Sequence, residues 1–147
     1  MANWGKVERI LGIDFGSKRV GMALSDMLGI TAQPLFTLER KNKETDFAVI
    51  EKIITEKKVS KVVLGLPLNM DGSEGELCRL SRAYGKQINE RFSISVEFFD
   101  ERLSSIQVER MLIDEADISR AKRTGAKDKL AACIILQAYM DAHKISG

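Results

Sequence analysis

Little in this chain of 147 residues offers soft metal ligands or covalent cross-links: it holds two cysteines, Cys78 and Cys133, and one histidine, His143. With no CxxC pair and no second histidine, a zinc site of ordinary type cannot be assembled. The two thiols read as small buried hydrophobes in a reducing compartment. His143, four residues from the C-terminus, reads as a solvated helix end. No apolar run reaches transmembrane length, and the opening Met-Ala-Asn-Trp-Gly-Lys lacks a signal-peptide core, so a cytoplasmic protein is expected. Charge of one sign is not in excess either. Twenty-three Lys and Arg oppose 21 Asp and Glu, for a formal net charge of +2, so any basic surface must come from local clustering. The composition, 44% hydrophobic and 30% charged, is that of a globular chain. One domain spanning 1–147 is expected, and a chain of that length buries about 68–70% of its unfolded surface.

What is present begins with Ile10 to Asp26, which reads as strand, tight Gly16-Ser17-Lys18 turn and strand, a β-hairpin. Asp14 closes the first strand. Acids are depleted in strands, so Asp14 either accepts turn amides or points into a site as a ligand. Thr31 to Leu38 reads as a third strand, with Pro34 tolerable at an edge or bulge, and Glu39 to Glu44 as a solvated loop. Phe47, Ile50, Ile53 and Ile54 then mark one face of a helix. Lys61 to Leu66 reads as a buried parallel strand.

Pro67 to Glu76 is a polar loop at the C-terminal end of that strand, where open α/β sheets place ligands; plain turn chemistry explains the same residues. The next helix presents Leu77, Leu80, Tyr84, Ile88 and Phe92 near one face. The strand Ile94 to Phe99 ends in Asp100-Glu101-Arg102, and Ser104 or Ser105 offers an N-cap for a following helix. Alternation pairs Asp100 with Val96 and Phe98, and Glu101 with Glu97 and Phe99; parity alone does not say which acid faces Asp14. Arg120, Lys122, Arg123, Lys127 and Lys129 make 117–129 locally basic. In the last helix, about Lys127 to His143, Asp128 shares the apolar face of Ala131, Ala132, Ile135 and Tyr139. It serves either as a first-turn partner of the helix dipole or as a ligand.

The order βββαβαβ followed by helices implies an α/β fold: a mixed five-stranded sheet, three antiparallel strands and then parallel βα units, with helices on both faces. The first strand is central and its end brings Asp14 near the other acids. Clustered carboxylates repel one another unless a cation fills the site. Oxygen ligands alone favour Mg²⁺ or Mn²⁺, and two such ions about 3.5–4 Å apart clamp a phosphodiester. Lys18, Arg19, Asn69 and Arg102 join Arg120, Lys122, Arg123 and Lys127 as expected contacts to nucleic acid.

Leu11-Gly12-Ile13-Asp14-Phe15-Gly16, Gly21 to Asp26, Val63-Leu64-Gly65-Leu66-Pro67, Asn69 to Gly72, Asp100 to Ser104, and Asp128 with its Ala-rich helix occur in one order across nearly the whole chain. In these motifs the sequence resembles the YqgF (RuvX-type) family of pre-16S rRNA nucleases, of RNase H-like fold and related to Holliday junction resolvases. The resemblance implies Asp14, Glu101 and Asp128 as the catalytic, metal-binding acids, with Asp100 supporting. It implies a divalent-metal-dependent nuclease of structured RNA that matures the 5′ end of precursor 16S rRNA, with no small-molecule cofactor and either a monomer or a homodimer. Three other readings remain open: a resolvase of four-way DNA junctions, a single lobe of the ATP-binding actin and sugar-kinase type, and a non-catalytic RNA-binding module.

Overall fold

Five strands lie in the order β3-β2-β1-β4-β5 in the computed structural model, which describes residues 9–106 and 126–143. β1 (Arg9–Phe15), β2 (Arg19–Ser25) and β3 (Ala32–Glu39) form an antiparallel meander. β4 (Val59–Leu66) pairs parallel to β1, and β5 (Ser95–Asp100) parallel to β4. β1 is therefore central, as the expected mixed sheet requires. β3 is an edge strand. Met22 pairs with Phe36 but Ala23 with Pro34, so Leu35 is an extra residue in a bulge, and the proline, having no N–H, sits where the ladder is already broken.

The crossover from β3 to β4 carries α1 (Lys43–Glu56) and that from β4 to β5 carries α2 (Glu76–Phe92). α1 starts two residues earlier than its apolar period suggests, because Asn42 caps it: Asn42 Oδ1 accepts the Thr45 N–H at 2.9 Å. Asp46 in its first turn is buried and accepts the Lys41 N–H on both oxygens. Phe47 and Ile50 are buried, while Ile53 and Ile54 are half-buried at the margin.

The expected apolar face of α2 is displaced. Leu77 and Leu80 are 40% and 45% exposed, and the buried residues are Cys78, Ser81, Tyr84, Gly85 and Ile88. Small residues let the helix approach β5: a Cβ on Gly85 would lie 2.7 Å from the Phe98 ring. Close approach, not side-chain bulk, selects the buried face. α1 and α2 enclose one core with Leu11, Ile13, Phe15 and Leu64.

α3 (Ala126–Ala142) covers the opposite face of the sheet. Ala131, Ala132, Ile135, Leu136 and Tyr139 are buried there beside Ala23, Val63 and Phe99. Among the described residues no helix is long and apolar enough to cross a membrane. Cys78 and Cys133 are both free thiols, and burial raises the pKa of each. His143 is exposed and stacks on Tyr139, with centroids 4.1 Å apart.

Gly12 sets the separation of α3 from β1, since a Cβ there would lie 2.7 Å from Leu136 Cβ and 3.3 Å from the Ala132 carbonyl. Gly12→Ala should cost about 1–3 kcal/mol through overpacking, measurable as a lowered urea midpoint. A midpoint equal to that of the unaltered protein would show that α3 is free to recede.

Candidate active site

Alternation places Asp14 on the same face of β1 as Gly12, the face covered by α3. Its antiparallel partner in β2 is Gly21. On the other side the parallel ladder runs through Ile13 and Leu64, so Gly65 comes alongside Asp14. The central acid is thus flanked on both sides by residues without side chains. Each of those glycines is covered by another element that bears an acid.

Over Gly21 lies the start of α3. A Cβ on Gly21 would fall 2.0 Å from the backbone carbonyl oxygen of Asp128, so only glycine admits the helix here. Over Gly65 lies Glu101, whose Cγ and Oε1 would be 3.1 and 3.2 Å from a Cβ at that position. Glu101 opens a 3-10 turn, Glu101–Leu103, directly after β5, and is 2% exposed. Ser104 Oγ donates to the Glu101 carbonyl and accepts the Ile106 N–H, which ends that turn. Asp14, Glu101 and Asp128 therefore converge on the C-terminal end of β1, beneath α3.

The face also separates Asp100 from Glu101. Phe99 packs in the α3 core and Glu97 bonds Tyr139 of α3, so Glu101, of their parity, turns toward Asp14. Asp100 turns away, into the grip of Arg102. Its carboxylate accepts the Arg102 backbone N–H at 2.9 Å and guanidinium bonds at 2.7 to 3.1 Å. Those bonds hold its pKa below the usual carboxylate value. Arg102 Nη1 also donates to the Met70 carbonyl at 3.3 Å, tying the 67–75 loop to this turn.

Several expected nucleic-acid contacts have other engagements here. Arg19 Nε donates to Asp128 Oδ2 at 3.1 Å, an ion pair inside the acidic group. Asn69 closes its own loop, donating to Ser73 Oγ at 3.0 Å. Lys18 is exposed in the β1–β2 turn and Lys127 half-buried at the start of α3. Arg120, Lys122 and Arg123 lie outside the described residues, as does the helix expected through Val108 and Met111. Gly21 and Gly65 are not among the expected site residues; the signal for them is a glycine inside each strand flanking an acid-bearing one.

All three acids offer hard oxygen, the type suited to Mg²⁺ or Mn²⁺. Among the described residues no three His, Cys, Asp or Glu side chains are arranged as a ready-made metal cluster, and Arg19 holds Asp128. The donors fit by type, and their approach is incomplete.

The family model described as "RuvX: Holliday junction resolvase" matches residues 8–142. The chain belongs to the RuvX family. Relatives from Oenococcus oeni and Streptococcus thermophilus, each named "Putative pre-16S rRNA nuclease", are 49% and 47% identical over 135 residues. They cover 90% of this chain, and the match spans 94% and 97% of their own lengths. Among solved structures, a Thermus thermophilus RuvC in complex with a Holliday junction substrate superposes with a TM-score of 0.56 at 13% identity. That match covers 92% of this chain and 94% of the other. A fowlpox virus Holliday junction resolvase gives 0.52 at 12% identity, over 91% and 99%. The RuvX chain thus has the RNase H-like fold of these resolvases, and its family membership makes it a nuclease, a hydrolase of phosphodiester bonds.

The Asp100–Arg102 pair gives a pH test. A depressed folded-state pKa adds stability that is present above the unfolded value and lost as pH falls through the folded one. Asp100→Asn should cost about 0.5–1 kcal/mol at neutral pH, the range of a partly exposed pair. In urea titrations the two proteins should converge as pH falls below the usual aspartate range, where the depressed folded-state carboxyl is finally protonated. A difference that persists in acid would trace the effect to the backbone cap instead.

Proposed function

We propose that the RuvX chain cleaves structured RNA with a divalent cation held by Asp14, Glu101 and Asp128, and that its substrate is the 5′ end of precursor 16S rRNA. The observation that carries the reading is the placement of Asp14 between two bare glycines, one beneath Asp128 and one beneath Glu101. Nothing in the packing of the sheet requires three carboxylates at one strand end, and their mutual repulsion opposes it. Arg19 offsets part of that repulsion by pairing with Asp128. Mg²⁺ or Mn²⁺ bound there would polarise the phosphodiester and activate the attacking water. Asp14 contributes from the rigid centre of the sheet. Glu101, buried and fixed by the turn that follows β5, holds a second direction. Asp128 is available once Arg19 turns to a substrate phosphate, which makes Arg19 a positioning residue. Asp100, held by Arg102, supports the turn that carries Glu101. Ribosomal RNA is favoured over four-way DNA by the names of relatives nearly half identical to this chain. The work is that of a cytoplasmic protein in ribosome biogenesis.

Purified protein with Mg²⁺ or Mn²⁺, a labelled precursor rRNA fragment and a synthetic four-way junction test the reading together. Cleavage of the precursor and not of the junction is expected; the reverse would transfer the chemistry to DNA. Asp14→Asn, Glu101→Gln and Asp128→Asn should each lower the cleavage rate by two or more orders of magnitude, roughly 2.7 kcal/mol or more of transition-state stabilisation. Asp100→Asn should stay within about tenfold, near 1.4 kcal/mol. Wild-type rates for Asp14→Asn would return Asp14 to the role of a turn residue.

The basic segment gives an independent measurement. Replacing Arg120, Lys122 and Arg123 with Ala should weaken RNA binding and flatten its salt dependence by roughly one unit of slope per lost phosphate contact. An unchanged slope would assign those charges to the solvated surface.

A further inference from the structure

The residue after Asp14 points the other way. Phe15 faces α1 and α2, where the sheet end opens into a cleft of about 460 Å³. Sites for small organic ligands typically span roughly 300–1,000 Å³. One wall is cationic: Arg40, Lys41 and Lys43, from the β3–α1 connection and the first residue of α1, line it. The facing wall, from α2, is the exposed Leu80 with Ala83, and Gln87 supplies an amide.

The cleft is also lined by Tyr84, which carries a hydroxyl. Tyr84 is 7% exposed and lines the cleft, and this hydroxyl is the one buried side-chain polar atom without a hydrogen-bond partner among the described residues. Leaving such a group unpaired is costly; it is closed to solvent here, so a ligand atom pairs with it once the side chains over it shift. Burial, with the Asp46 charge nearby, pushes the Tyr84 phenol up, keeping it a neutral donor. Asp46 also lines the cleft, its two oxygens sharing the Lys41 N–H, and its charge offsets one of the cations. That leaves three cations against one acid. The Arg40 guanidinium lies over the Phe15 ring, 4.7 Å from its centroid, while donating to the Ser17 carbonyl. It presents a flat, fixed face of the kind on which bases stack.

A bare anion would satisfy the cations and leave the Leu80–Ala83 wall and the Tyr84 hydroxyl unused. A purely apolar ligand would strand the cations. We infer that this cleft binds one nucleotide, its base between the Arg40 face and the α2 wall with an edge on the Tyr84 hydroxyl, and its phosphate among the cations at the mouth. The cleft and the acids occupy opposite faces of one strand end, separated only by the Gly16–Lys18 turn. A substrate strand crossing that turn would place a nucleotide adjoining the scissile phosphate in the cleft. The inference deepens the nuclease reading, though free nucleotide has the same chemistry.

Calorimetric titration of the full chain in EDTA separates the two questions, since binding there does not depend on cleavage. At least one nucleoside 5′-monophosphate should saturate, with inorganic phosphate and the parent nucleoside each bound at least about tenfold more weakly. Ala83→Trp, a substitution at an exposed helix position that fills the cleft, should abolish this binding. Tyr84→Phe should weaken it about five- to tenfold, the scale of one hydrogen bond, without lowering Tm. No saturation at millimolar monophosphate, phosphate bound as tightly as the nucleotide, or undiminished binding by both variants would overturn the inference. RNA fragments with single abasic positions beside the cleavage point identify the source. A loss of affinity matching that of Ala83→Trp assigns the nucleotide to the substrate strand; no loss, with monophosphate still bound, assigns it to a free nucleotide. Nucleotide binding without metal-dependent cleavage would count against the proposed function alone.

Discussion

The close approach of α3 to the sheet is the constraint on which the rest of the RuvX structure depends. Helices pack on sheets at a distance set by the side chains between them, and here three positions have none. Gly12 admits Leu136, Gly21 admits the backbone of Asp128, and Gly65 admits Ile135 together with Glu101. Without that approach Asp128 would stand above the sheet by the height of a side chain, out of reach of a group bound at Asp14. The same glycines that weaken their strands individually make the acidic group possible. Strand stability is traded for position at these three glycines, the relation between local rule-breaking and function expected of a site.

The strands and their order were legible because their signals are local and redundant. The Gly16–Lys18 turn, the alternation around it and the run Lys61–Leu66 each point to one answer, and Pro34 marks its own edge. The buried face of α2 was not legible, because bulk is the wrong measure there. Leu77 and Leu80 have the period of a core face, yet Ser81 and Gly85 decide the packing by letting the helix come close. At the site, Asp14 and Asp128 stood out as acids in apolar settings. The choice between Asp100 and Glu101 needed the identity of the covering helix, which no strand encodes in its own residues. The resemblance implied Glu101 as a ligand; the packing of Phe99 and Glu97 against the covering helix accounts for the face on which Glu101 lies. The engagement of Arg19 with Asp128 joins residues 109 positions apart, and no spacing rule reaches that far.

Adjacent residues of β1 divide the labour between the faces. Asp14 looks toward α3 and a group of carboxylates; Phe15 looks toward α1 and a cleft rimmed with cations. The strand end is thus a boundary between two fields of opposite sign on opposite faces of the sheet. A polyanion passing over it would meet repulsion on the side of the acids and attraction on the other. Orientation of a strand follows from that asymmetry before any base is recognised. Because both fields hang on one rigid central strand, they keep their relative position even if the surrounding loops move.

The bulge in β3 bears on how this molecule behaves in company. An open sheet has two rims, and an unprotected rim is a template onto which a foreign strand can hydrogen-bond. On the β3 side the ladder is interrupted at Leu35 and lacks a donor at Pro34, so growth of the sheet in that direction is blocked in mid-strand. Such a stop limits strand addition whatever partly folded chains the molecule meets. The irregular pairing of a few residues at the rim of the sheet thereby guards the chain against recruitment into aggregates.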